Sequence, residues 1–79
     1  MTYKTKGVCS QLINFDIVDG KLTNVSFVGG CNGNLQGIGR LVEGMEVNEA
    51  IKRLEGIRCG FKNTSCPDQL AQALKEAIQ

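Results

Sequence analysis

The sequence contains no histidine and no tryptophan, and its aromatic residues are one tyrosine and three phenylalanines. Without histidine, Ser–His and Cys–His nucleophile pairs are excluded, and a metal site must be built from thiolates, carboxylates or backbone groups. An excess of one charge sign is also missing. Nine basic and eight acidic residues are spread along the chain, for a net charge of +1. With no basic block and few aromatics, a nucleic-acid surface is not expected. Long apolar runs are absent, and none approaches the ~18 residues of a membrane span. The opening Met1-Thr2-Tyr3-Lys4-Thr5-Lys6 is not followed by the apolar stretch of a signal peptide. The expected location is therefore the cytoplasm, with no membrane partner.

What is present is short. A chain of 79 residues is read as a single domain, 1–79. A domain this small buries only about 60–65% of its unfolded surface and often depends on a metal, disulfides or a partner for stability. The sequence has four cysteines, Cys9, Cys31, Cys59 and Cys66. In a reducing compartment they favour metal binding or redox chemistry over disulfides.

Periodicity and turn residues predict an α+β fold: a short antiparallel sheet packed against three helices. Residues 11–18 alternate as a strand, with Ile13, Phe15 and Ile17 on one face. Asp19-Gly20 is a hairpin turn, and residues 22–28 return with Thr23, Val25 and Phe27 on one face. Cys31-Asn32-Gly33-Asn34 reads as a turn or a backbone nest wrapped round a ligand. Leu35, Ile38, Leu41 and Val42 then repeat at near-helical spacing through 35–43, where Gly37 and Gly39 weaken the helix but allow close backbone approach. Gly44 is a natural stop. A second helix is expected from about Glu46, with Glu49 in the capping-box position and Val47, Ala50, Ile51 and Leu54 as its apolar stripe. The last helix opens at Cys66-Pro67-Asp68 and buries Leu70, Ala73, Leu74, Ala77 and Ile78.

The hairpin suggests where two of the cysteines lie. Matching the apolar faces pairs Ile17 with Thr23, Phe15 with Val25 and Ile13 with Phe27, and the same register sets Cys9 opposite Cys31. A tight Asp19-Gly20 turn instead sets the pairing one residue off. Either way both thiols fall at one end of the sheet. Cys66 sits at a helix N-terminus, where the dipole stabilises a thiolate, and a six-residue loop containing Gly60 lets Cys59 turn back towards it. The spacing C-x21-C-x27-C-x6-C lacks a C-x-x-C pair and is by itself weak evidence for zinc. The plainer reading is that buried cysteines act as small hydrophobes, yet each here lies at an element end beside glycine, proline or polar residues. The expectation is a metal site formed by Cys9, Cys31, Cys59 and Cys66, holding zinc or an iron–sulfur cluster. A three-cysteine site with Asp68 or Asp16 as fourth ligand is the alternative.

Thr64-Ser65-Cys66-Pro67-Asp68 spells the name-giving motif of the TSCPD domain family. Gly29-Gly30-Cys31-Asn32-Gly33-Asn34-Leu35 and Leu41-Val42-Glu43-Gly44-Met45 also resemble its short, stand-alone branch. The resemblance covers nearly the whole chain. It implies a four-cysteine domain thought to bind metal, related to domains at the C-terminus of vitamin B12-dependent ribonucleotide reductases. Short members are sometimes labelled reductases by that association, but 79 residues cannot contain the barrel, radical generator and allosteric site that such catalysis needs. More distantly, the chain resembles U-type iron–sulfur scaffolds. Cys9, Cys31 and Cys66 match the three scaffold cysteines, and Val42-Glu43-Gly44 and Glu49-Ala50 match the middle. It departs from them at Gln11, where the scaffolds have aspartate, at Ser65, where they have histidine, and in the extra Cys59.

Four functions follow as expectations, in this order. The first is a metal-binding accessory domain serving a ribonucleotide reductase or a related redox enzyme. The second is an iron–sulfur scaffold or carrier. The third is a thiol redox module cycling Cys59 and Cys66. The fourth is a purely structural domain, or one that dimerises with a second copy, in which the cysteines are incidental. Catalysis by the isolated chain is not expected, because no acid/base pair can be assembled from these residues.

Overall fold

The hairpin turn organises the sheet. Asp19 and Gly20 both adopt positive φ, 52° and 77°, as a two-residue turn that matches strand twist requires. A computed structural model describes all residues except Lys6, Cys9, Gly30, Cys31, Cys59 and Gln79, with Ser10 and Asn32 as backbone only. The turn joins β2 (Ser10–Val18) to β3 (Lys21–Gly29). Next to the turn, Ile17 pairs with Leu22 and Asp16 with Thr23, whereas further along Asn14 pairs with Ser26 and Ile13 with Phe27. Both registers expected from the sequence are thus present, and a β-bulge separates them. Of the three pairs predicted from matched apolar faces, Ile13 with Phe27 forms, while Ile17 faces Leu22 instead of Thr23.

The bulge has a packing reason. Without it, residues two apart share a face, and a one-residue slip turns every following side chain over. With Asn24 at φ 55°, the inserted residue brings Leu22, fully buried, onto the same core as the half-buried Val25 and Phe27. The backbone N–H that the bulge leaves unpaired donates to the Glu43 carboxylate at 3.0 and 3.3 Å.

A third strand, β1 (Thr2–Lys4), lies antiparallel to β2, giving the order β1-β2-β3. Tyr3 pairs with Ile13 there. The sequence reading did not anticipate this strand, because three residues are too few to show a period.

Helix α1 (Asn32–Val42) begins three residues earlier than the apolar spacing suggests, so the expected turn at Asn32-Gly33-Asn34 is its first turn. It crosses β3 closely at Gly39, where an added Cβ would lie 3.1 Å from the Val25 carbonyl oxygen. Gly37 has no such neighbour within 4 Å. After Gly44 (φ 78°) the chain runs along the edge of β3: Leu22 N–H donates to Met45 O (2.8 Å) and Gly44 N–H to Leu22 O (2.7 Å).

Helix α2 (Val47–Leu54) is capped by Glu46, whose carboxylate accepts from Asn48 N–H at 3.2 Å. Glu49, expected to complete a capping box, pairs instead with Arg53 one turn on, at 2.9 Å. Helix α3 spans Cys66–Ile78. The core joins Ile13, Phe15 and Leu22 of the sheet to Val42 of α1, Val47, Ala50 and Ile51 of α2, and Leu70, Ala73 and Leu74 of α3. The α+β class, an antiparallel sheet against three helices, is the one the sequence predicts, with β1 added to the expected hairpin as a third strand. One residue of the predicted buried face of α3 lies elsewhere, since Ile78 is exposed, and in α1 Leu41 is 78% exposed.

Candidate functional site

The motif Thr64-Ser65-Cys66-Pro67-Asp68 starts α3, and its polar members are occupied in building that start. Ser65 caps the helix: its hydroxyl accepts from Asp68 N–H (3.2 Å), and its carbonyl accepts from Gln69 N–H (2.8 Å). Such a cap satisfies amides that have no partner within the helix. The Thr64 hydroxyl donates to Asp68 Oδ2 and accepts from the Gln69 side-chain amide at 3.0 Å. The Asp68 Oδ1 accepts from the Gly56 backbone N–H at 2.7 Å. Asp68 is buried. Burial pushes its carboxyl pKa up, but hydrogen bonds from Thr64, the Gly56 amide and Gln72, with the Lys75 charge, together outweigh that and hold it below the usual carboxylate value.

Cys66 is the first residue of α3, half-buried, and present as a thiol. It lines an open groove of about 540 Å³ that also takes in Lys62. The apolar wall of the groove comes from Leu35, Ile38 and Leu41 of α1, with Val8 and Pro67. Gly33, Asn34 and Gly37 of α1 lie along it as well. The groove was not read from the sequence, where Ile38 and Leu41 served only as part of a near-helical repeat. One signal was available. Leu41 and Val42 are adjacent, so they point about 100° apart on a helix. Val42 is buried, which turns Leu41 away.

The expectation of a metal centre is corrected here. Among the described residues no group of three or more histidine, cysteine, aspartate or glutamate side chains is placed to hold a metal ion. Of the four proposed ligands, only Cys66 is described, while Cys9, Cys31 and Cys59 lie outside the described residues. The alternative carboxylates are already engaged. Asp68 is held by Thr64 and Gly56, and Asp16 accepts from the Asn24 side-chain amide and the Met1 ammonium, both at 3.2 Å. Those two partners, Asn24 first, lower the Asp16 pKa. A carboxylate with its lone pairs directed at protein donors is poorly placed to ligate. The described residues thus do not fit zinc or an iron–sulfur cluster, and the readings as metal-binding domain and as cluster scaffold lose their site. The Cys59–Cys66 redox pair gains no support either, since Cys66 is in no disulfide and Cys59 is not described. The Gly29–Asn34 nest also falls partly outside the described residues, at Gly30 and Cys31.

No helix among the described residues is long and apolar enough to cross a membrane. Neither the curated proteins nor the solved structures include a match to this chain. The TSCPD domain model matches residues 1–78, and the motif that names it is the capped start of α3 beside the groove. The chain belongs to the TSCPD domain family.

Proposed function

We propose that this chain is an accessory domain without catalysis of its own, which docks on a larger redox enzyme of the ribonucleotide reductase type through the groove beside Cys66. The observation that carries this reading is the outer stripe of α1. Leu41 is a large apolar residue 78% exposed in a domain short of core, and it continues with Ile38 and Leu35 into one groove. A contiguous apolar surface of this kind is what a binding face requires. The partner class comes from the family resemblance, which links such domains to the C-terminus of vitamin B12-dependent ribonucleotide reductases.

The test titrates a purified vitamin B12-dependent ribonucleotide reductase into the fluorescently labelled chain and reads anisotropy. Saturable binding is expected, and Leu41→Lys weakens it by about tenfold or more, as for a central apolar contact. Absence of binding by the wild-type chain contradicts the partner. Unchanged binding by Leu41→Lys contradicts the groove. Self-association of the chain without the enzyme, abolished by Leu41→Lys, assigns the groove to a second copy instead.

A further inference from the structure

Helix α1 carries Gly37 and Gly39 in its interior. Glycine is the poorest helix former apart from proline, because it loses the most backbone freedom on folding. A domain with so small a core has little stability to give away at such a position. At Gly39 a contact within the chain explains the residue. A Cβ there would lie 3.1 Å from the Val25 carbonyl oxygen, so the missing side chain lets α1 cross β3. At Gly37 there is no such contact. Its φ is not positive, and a Cβ built on it would meet nothing within 4 Å. Neither the backbone conformation nor the packing of this chain calls for glycine at 37. The space that a side chain would take lies in the groove, which Gly37 lines together with Ile38 and Leu41. Residues four apart are neighbours on a helix surface, so this bare stretch of backbone sits next to the exposed Leu41.

We propose that Gly37 determines what the groove accepts: its missing side chain leaves a hollow into which an apolar side chain of the docked reductase inserts, against the α1 backbone and alongside Leu41. This role rests on docking through the groove and adds to it the residue that sets the fit. The chemistry of the inserted group follows from the walls. Ile38 and Leu41 flank the hollow, and Val8, Leu35 and Pro67 complete the apolar lining. A charged group would lose hydration there without gaining a partner from those side chains, whereas an apolar group gains by leaving water. Glycine at 37 thus lowers the stability of the chain alone and keeps the docking space open, a trade of stability for binding.

The experiment measures the thermal stability of the whole chain and its binding to the purified vitamin B12-dependent ribonucleotide reductase, read by anisotropy, for wild type, Gly37→Ala, Gly37→Leu and Leu41→Lys. Gly37→Ala should raise Tm by roughly 2–8 °C, the gain from replacing a helical glycine that needs no special φ, and should still weaken binding severalfold. Gly37→Leu should weaken binding by about tenfold or more, because it overfills the hollow, while its Tm stays at or above that of wild type. Gly39→Ala, measured for stability alone, should gain no Tm, since its Cβ meets the Val25 carbonyl. A substitution that stabilises the chain and yet weakens binding is not explained by damage to the fold. The proposal is overturned if Gly37→Ala fails to raise Tm, because the fold itself then requires glycine. It is also overturned if both Gly37 variants bind as tightly as wild type while Leu41→Lys binds weakly, a result that keeps the docking and removes only the role of Gly37. Absence of binding by wild type removes the docking and this role with it.

Discussion

Helices α3 and α1 each carry an apolar stripe, and they use it differently. In α3 the stripe goes into the core: Leu70, Ala71, Ala73 and Leu74 are all buried. In α1 it divides. Gly39 and Val42 turn towards β3 and the core, Ile38 and Leu41 are left along the groove, and Leu35, though buried, also lines it. A domain this small has little apolar surface to leave outside its core, so a leucine kept outside it points to a role other than stability. The comparison teaches that within one helix residues one position apart face different surroundings, so stability and the proposed docking can be probed by separate mutations.

The largest expected effect is on the α3 side. Leu74→Ala leaves a cavity in the centre of the core and should lower unfolding free energy by about 2–5 kcal/mol, measured by urea denaturation. The close face of α1 comes next. Gly39→Val places side-chain atoms against the Val25 carbonyl and should cost roughly 1–3 kcal/mol through displacement of α1. A smaller Tm loss would mean that α1 can shift outward freely, which would blur the division between its two faces.

Acid should act on the α3 side through Asp68. The folded Asp68 pKa lies below its ordinary value, so its bonds stabilise the fold fully above the unfolded carboxyl value of about 4. That contribution is lost as pH falls through the folded value. Thermal melts from pH 6 to pH 2 should show a decline below about pH 4 that is shallower in Asp68→Asn. The smallest expected effect belongs to the groove side of α1. Leu41→Lys should change unfolding free energy by no more than about 0.5 kcal/mol, since the site is exposed and a cation suits a helix C-terminus.

Much of the architecture was legible because local chemistry and global packing agree over most of the chain. The Asp19-Gly20 turn, the alternation of Ile13, Phe15 and Ile17, and the Pro67-Asp68 start of α3 each carry their own signal. The bulge at Asn24 was not legible as one feature. Each of the two registers is self-consistent on its own stretch, and only the need to put Leu22 and Val25 on one face requires both. Strand β1 was too short to show a period. At the site, the capping chemistry of Asp68 was partly readable, since aspartate suits a first helical turn, but its bond to Gly56 joins residues twelve apart and depends on the fold. The metal reading treated cysteine count and element ends as a guide to convergence. It overlooked that Asp68 and Asp16, the carboxylates beside those elements, are engaged by hydrogen bonds of the fold itself. Leu41 was read only as part of a helical repeat, because hydrophobicity alone does not separate a buried leucine from a displayed one.

The most direct test of the divided stripe measures two variants side by side, Leu74→Ala and Leu41→Lys, for urea stability and for binding to the purified vitamin B12-dependent ribonucleotide reductase. The account predicts that Leu74→Ala loses stability while its folded fraction still binds, and that Leu41→Lys keeps its stability and loses binding. If Leu41→Lys unfolds the domain, or binds as tightly as wild type, the outer face of α1 is not the docking surface.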